Sequence, residues 1–479
     1  MNRSIRRGAV FALVLVVILL ANLTWVQVFQ REEYAENPLN NRQFMEEKSR
    51  PRGQISAGGE VLAHSVKGTD DFYVREYGDD AQMYGPVLGY LSDVYGAAGL
   101  ESSHNSILNG TDPSLATTRL MDTITGKEGA GADLELTINP DAQRTAYRQL
   151  ADNGYVGSVV ALRPSTGEVL AMASTPSYDP RPIVGGDQDT WAQLNSDPDA
   201  PLLNHAVQRP LPPGSTFKVL TTIAAVEKGA TPDTKLTGAP SITLPNTTTT
   251  LENYGGSACA GGGEVTLTEA FRRSCNTAFV QLGIDTGADA LRDVADRFNV
   301  GETFPDIKAP QDRSTIGEIP DDAALGQTSI GQRDVMFTPM QNAVIAATIA
   351  NGGTMMSPHI VSKVTGRNLK VIDEYEPEEI REAIHPDTAR VLTGLMHQAE
   401  SWAGGNGSRV ASKTGTAEHG SVRGQLAPHV WYIAFDEQAD VAVSVVVENG
   451  GGHGQSATGG SVAGPVGRAV MQSVAASGR

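Results

Sequence analysis

The feature that most constrains this chain is an uncharged apolar run from Gly8 to Leu23, preceded by Arg3, Arg6 and Arg7 and followed by Trp25, Val26, Val28 and Phe29. Gly8 to Phe29 supplies the roughly 20 residues that a bilayer core requires, with Trp25 placed for the membrane–water interface. The flank beyond it is acidic at Glu32, Glu33 and Glu36, so the arginines are expected to stay in the cytoplasm and the rest of the chain to lie outside. A cleaved signal peptide would carry the same charge pattern. The bulky stretch Asn22 to Gln30 offers no convincing small-x-small cleavage site, so a retained single-pass anchor is expected.

Beyond the apolar run, the remainder of the 479-residue chain is long enough for two or three domains. Hydrophobic residues make up 40% and charged residues 19%, which supports a sizeable core and excludes global disorder. A net charge of −18 with no basic stripe argues against a nucleic-acid partner. Two cysteines exclude a disulfide scaffold and a four-cysteine zinc site. The nine histidines are scattered, none paired at helical spacing around a glutamate, so no metal is expected.

From Gln30 to Ala130 the sequence is polar and rich in turns; it reads as a linker, stalk or small pedestal. Its most distinctive stretch is Arg50-Pro51-Arg52-Gly53-Gln54-Ile55, and Gly126 to Gly131 marks a boundary. The expected division is a cytoplasmic tail (1–7), an anchor (8–29), a pedestal or dimerisation-like domain (30–130) and a catalytic domain (131–479). In the last, Leu134 to Ile138 alternates and leads into a helix start at Asn139-Pro140-Asp141, while Gly157 to Leu162 and Glu168 to Ala173 read as a hairpin. Pro212-Pro213-Gly214 breaks the chain before a buried helix from Ser215 to Lys228, which Gly229 stops. Thr266 with Glu269 forms a capping box for a helix through Arg273, and Thr338-Pro339-Met340-Gln341 opens another. The Thr247 to Thr250 run reads as an exposed strand or loop, and Gly450 to Gly454 as a flexible surface loop. Strands are expected at Val410 to Glu418, His429 to Asp436 and Val441 to Glu448, then a last helix from Gly464 to Ala475. The fold class is α+β, an antiparallel sheet covered by helices.

Three short motifs bear the chemistry. Ser215 stands at a helix N-terminus, where free N–H groups favour negative charge. Lys218 shares its face three residues on. A serine hydroxyl needs a neighbouring base, and a lysine in an apolar helix is desolvated enough to accept a proton. Ser274-Cys275-Asn276 interrupts a helical stretch and puts a hydroxyl and an amide on a turn. Lys413-Thr414-Gly415-Thr416 lies on a strand, with Lys413 offering a cation to a carboxylate and Gly415 a close backbone approach. Each motif alone is commonplace.

In this order they are the Ser-x-x-Lys, Ser-x-Asn and Lys-Thr-Gly set of penicillin-binding proteins and serine β-lactamases. The chain resembles a class B penicillin-binding protein of the actinobacterial branch, a monofunctional D,D-transpeptidase. The resemblance runs from about Gly157 to the end, with Arg52-Gly53-Gln54-Ile55 echoing the family's N-terminal module. It implies that Ser215 attacks the carbonyl between the last two D-alanines of a peptidoglycan peptide stem, with Lys218 as base and no cofactor. It further implies that Ser274 passes a proton to the leaving amine and that Asn276 holds Lys218 and the substrate amide. Lys413 and Thr414 would bind the terminal carboxylate, and the N–H groups of Ser215 and Thr416 would form the oxyanion hole. β-Lactams are then expected to acylate Ser215, and a SEDS-family glycan polymerase in the membrane is the implied partner. Cys275 departs from the small middle residue common in this motif.

Related activities fit less well. Gln30 to Ala130 is too short for a glycosyltransferase, no Glu-x-x-Leu-Asn follows Ser274 as in class A β-lactamases, and the few residues ahead of the anchor leave no signalling domain there. Cys259 and Cys275, both on the exported side, are expected to form a disulfide beside the Ser274 turn. Two buried thiols, or Cys275 packed as a small apolar residue, are the alternatives.

Overall fold

The computed structural model describes residues 3–29, 48–126, 129–367, 369–405, 409–420 and 424–478. The acidic flank Glu32, Glu33 and Glu36, and Lys127 and Glu128 of the glycine-rich boundary, lie outside the described residues. Arg3–Phe29 is one helix, α1. Its 20-residue segment Arg6–Trp25, whose apolar window has a mean hydropathy of 2.4, is long and apolar enough to cross a membrane.

In chain order the elements that build and position the site are β1 (Ile55–Ala57), β2 (Glu60–Lys67), β3 (Tyr73–Tyr77), β4 (Asp133–Leu136), α2 (Pro140–Ala151), β5 (Gly157–Leu162) and β6 (Val169–Thr175). Then come α3 (Lys218–Glu227), α4 (Leu267–Arg273), α5 (Asn276–Thr286), α6 (Pro339–Ala350), β7 (Val361–Thr365) and β8 (Val371–Glu374). The last are α7 (Pro386–Trp402), β9 (Val410–Ala417), β10 (His429–Asp436), β11 (Val441–Val447) and α8 (Gly464–Ser477).

In the described part of the polar segment after the anchor, Ile55–Ala57, Glu60–Lys67 and Tyr73–Tyr77 are strands of a six-stranded sheet, so it is a folded pedestal and the linker reading is corrected. Its strand order is β8-β7-β4-β1-β2-β3, with β1 and β4 parallel and the other pairs antiparallel. The Arg-Gly-Gln-Ile stretch stands out because it is the knot of this module. Glu101 is fully buried and takes Arg52 Nε at 2.6 Å, Arg75 Nε at 2.5 Å and the Tyr77 hydroxyl at 3.3 Å. A carboxylate so removed from water persists only when paired on several sides. Gly53 must stay a glycine, because a Cβ there would stand 1.8 Å from the Ala132 carbonyl oxygen.

The second sheet is antiparallel throughout, in the order β9-β10-β11-β5-β6. Every residue of β5, β6, β10 and β11 is buried, as strands covered on both faces must be. One face packs on α2 and α8, and the other faces the larger core that contains α3, α5 and α6. The expected helices and strands are present, with local differences. Asn139 and Thr338 cap α2 and α6 through their side chains, each ahead of a proline at the first helical position. At α4 only half of the capping box forms. Thr266 accepts from the Glu269 N–H, but the Glu269 carboxylate turns to Arg272 and Arg273, because two guanidinium groups outcompete one backbone N–H. The threonine run is the turn of an exposed hairpin, Ser241–Thr243 with Thr250–Glu252. The 450–454 glycines form a mostly exposed turn in which only Gly450 is buried.

Candidate active site

The chain around Ser215 differs from the single helix expected. Gly214–Phe217 is a 3-10 turn, and the α-helix begins only at Lys218. Gly214 takes a left-handed φ of 54°, and Thr216 donates from both its N–H and its hydroxyl to the Pro213 carbonyl. Tight winding keeps Ser215 half-buried at the mouth while Thr216, Phe217 and Lys218 turn into the core. The turn is wedged against β9. A Cβ on Gly214 would come within 3.0 Å of the Thr416 oxygen, and one on Gly415 within 2.7 Å of the Pro213 oxygen. The glycines therefore set how closely the Ser215 backbone approaches Gly415 and Thr416. The Trp431 indole locks the same contact from below, donating to the Pro212 carbonyl at 2.8 Å.

Ser274 ends α4 in the left-handed conformation, φ 60° and ψ 43°. The N–H groups of Ser274 and Cys275 bond back to Phe271 and Ala270, a helix stop that non-glycine residues adopt sparingly and that clusters at functional sites. Asn276 then starts α5. This turn brings the three motifs together. Lys218 Nζ donates to the Ser274 carbonyl at 2.8 Å, to Asn276 Oδ1 at 2.7 Å and to Ser274 Oγ at 3.3 Å. Lys413 Nζ donates to Ser274 Oγ at 2.9 Å and to the Thr414 carbonyl at 2.9 Å. Both lysine side chains are buried, over Phe279 and Phe271 respectively.

Removing an ammonium from water disfavours its charge. Burial, then the nearby Lys413 charge, pushes Lys218 well below the usual lysine range, and burial brings Lys413 down to about 7. The site thus holds a hydroxyl between two amines whose charged forms are both disfavoured by burial. Thr414 and Thr416 are half-buried on the same strand. Cys259 and Cys275 are joined in a disulfide with Cα atoms 5.8 Å apart, which ties the 254–263 loop to the Ser274 turn. Among the described residues, no group of three histidine, cysteine or acidic side chains is assembled to hold a metal.

Several contributors were not evident from the sequence. Asn342 is fully buried on α6 and its Nδ2 reaches the Thr216 hydroxyl at 3.4 Å. The Glu252 carbonyl accepts from Asn276 Nδ2 at 3.0 Å. Phe279 and Phe271 lie beneath Lys218 and Lys413 and line the site from below.

Residues 157–472 match the family model described as the penicillin binding protein transpeptidase domain. The chain belongs to that family. Residues 52–134 match a second model, the penicillin binding protein A dimerisation domain. The peptidoglycan D,D-transpeptidase PbpA of Mycolicibacterium smegmatis is 48% identical over 98% of both chains. The PbpA of Mycobacterium tuberculosis is 46% identical over 98% of this chain and 99% of its own. The ceftriaxone acyl-enzyme of penicillin-binding protein A from M. tuberculosis superposes with a TM-score of 0.86 at 46% identity, covering 90% of this chain and 99% of that one. Its penicillin G acyl-enzyme gives 0.85 at 46% identity, covering 88% and 99%. This chain therefore shares the transpeptidase fold with its pedestal.

Proposed function

We propose that Ser215 is the residue acylated in this enzyme, by peptide stems and by β-lactams alike. The chain is a serine-type peptidoglycan D,D-transpeptidase of cell-wall synthesis. In our reading neutral Lys218 takes the Ser215 proton as the hydroxyl attacks the carbonyl between the two terminal D-alanines. The N–H groups of Ser215 and Thr416 receive the oxyanion, a site that the close approach of Gly214 to Thr416 supports. Ser274 relays a proton to the leaving D-alanine amine, Asn276 holds Lys218 and the substrate amide, and charged Lys413 with Thr414 binds the terminal carboxylate. An acceptor amine then takes the acyl group from Ser215.

The observation that carries this reading is the position of Ser274 Oγ between Lys218 Nζ at 3.3 Å and Lys413 Nζ at 2.9 Å. A relay hydroxyl needs a proton source on one side and an acceptor on the other: Lys218, charged once it has taken the Ser215 proton, is the source, the leaving amine is the acceptor, and charged Lys413 holds the hydroxyl between them. Labelling with a fluorescent penicillin, with and without Ser215→Ala, tests it: the wild type should label and the variant should not.

Membrane placement belongs to the same reading. The 8–29 segment anchors the chain, residues 1–7 face the cytoplasm, and the pedestal (30–130, its sheet completed by β4, β7 and β8 from beyond residue 130) and the catalytic domain built from the rest of 131–479 lie outside the cell. A membrane glycan polymerase of the SEDS family is the partner we propose. Protease treatment of intact cells tests the topology: loss of the catalytic domain supports it, and full protection counts against it.

A further inference from the structure

Strand β9 carries Lys413 to Thr416 and is the edge of its sheet. An edge strand has one row of backbone groups without a neighbouring strand to hold it. Here α7 runs along the first half of that edge. His397 Nδ1 lies 3.0 Å from the Val410 carbonyl, and one helical turn on the Glu400 carboxylate accepts from Ser412 Oγ at 2.5 Å. Two residues three apart on the helix thus grip two residues two apart on the strand. The grip ends at the residue before Lys413.

Glu400 is itself fixed from three further directions. Its side chain is 2% exposed. Tyr432 of β10 donates its hydroxyl to Oε2 at 2.9 Å, and Arg468 of α8 donates to Oε1 at 2.7 Å. Arg468 also bonds the Ala403 carbonyl at 3.0 Å and lies over the Tyr432 ring. A Cβ on Gly405 would stand 2.1 Å from Oε1, so the loop after α7 closes directly over the carboxylate. A buried charge with this many partners is costly to assemble and stabilises little compared with a packed apolar group. Its value lies in a fixed geometry, and what it fixes is Ser412, whose neighbour Lys413 reaches Ser274 from the opposite face of the strand.

We propose that Glu400 is a positioning residue for acyl transfer: braced by Arg468 and Tyr432, it holds Ser412 and so sets where Lys413 and the Gly415–Thr416 backbone stand against Ser215 and Ser274. This rests on the reading of β9 as the strand that receives the substrate carboxylate and the oxyanion.

The test compares full-length Ser412→Ala, Glu400→Gln and Lys413→Ala with wild type in acylation by penicillin. The first-order acylation constant at saturating penicillin is separated from the half-saturation concentration, and Tm is measured alongside. That constant is a property of each folded molecule and is indifferent to the fraction that folds. Displacing a catalytic group by about 1 Å costs on the order of a hundred-fold, and the smaller slackening from loss of one hydrogen bond should lower the constant about ten-fold in Ser412→Ala. Glu400→Gln keeps an acceptor for Ser412 and should fall between Ser412→Ala and wild type. An unchanged constant in Ser412→Ala beside a slowed Lys413→Ala overturns the inference. So does a lowered Tm or labelled fraction with an unchanged constant, which is what a purely structural role produces. If Lys413→Ala also acylates at the wild-type rate, the assignment of β9 itself is wrong.

Discussion

Lys413 Nζ donates to Ser274 Oγ at 2.9 Å across 139 residues of sequence. That bond joins the sheet to the helical half of the domain at the point where Lys218 also arrives. It couples two titratable groups through one hydroxyl, and this coupling sets the kinetic expectations.

The pH dependence has a definite sign. In the proposed mechanism the productive free enzyme has Lys218 neutral and Lys413 charged. Both lysines are pushed down by burial, and charge on Lys413 pushes Lys218 further; the proposed mechanism requires Lys218 to be the one that gives up its proton first. Acylation should climb as Lys218 is discharged and fall as Lys413 loses its proton through about 7. A bell-shaped second-order acylation constant is expected, its two limbs belonging to the pair. A rate that rises steadily from about pH 6 to about pH 10 would contradict this assignment.

Replacing Lys413 by Ala should weaken acylation by penicillin and by stem peptides while the fold remains. Loss of a charge-assisted contact to a carboxylate costs about 1.5–3 kcal/mol, or roughly 10- to 150-fold in rate. Stopped-flow acylation measures it, and unchanged rates would refute the role.

The acyl-enzyme should outlast many minutes. No Glu-x-x-Leu-Asn follows Ser274 in the sequence to activate a deacylating water. Intact-protein mass measured against time after removal of excess penicillin should show a persistent adduct. Rapid multiple turnover would instead mark a β-lactamase.

The Cys259–Cys275 bond closes a short loop beside the Ser274 turn. In the chain-entropy model such a loop contributes about 3 kcal/mol, so Cys259→Ser should lower the denaturation midpoint and slow acylation by loosening Ser274. Alkylation of freshly exported protein without reductant should modify neither cysteine. Two alkylated cysteines would rule the bond out.

Much of this was legible because it is local. Gly157–Leu162 reads as a strand from its own residues, Asn139-Pro140 and Thr338-Pro339 announce helix starts, and the three motifs stand out by order alone. What was not legible depends on distant partners. Nothing in Val361–Thr365 says that it will pair with β4 more than 200 residues earlier in the chain, in the pedestal sheet. Glu269 has the spacing of a capping box, but two arginines within a turn of it decide where the carboxylate goes. Neither α7 nor the burial of Glu400 was anticipated, because Ser412, Tyr432 and Arg468, which hold its carboxylate, come from three other elements.

The most direct test of the whole account is the site of covalent attachment. The protein is incubated with penicillin, digested and mapped by tandem mass spectrometry. The account predicts a single penicilloyl adduct on Ser215, absent from Ser215→Ala. An adduct on Ser274, or undiminished labelling of Ser215→Ala, would contradict it.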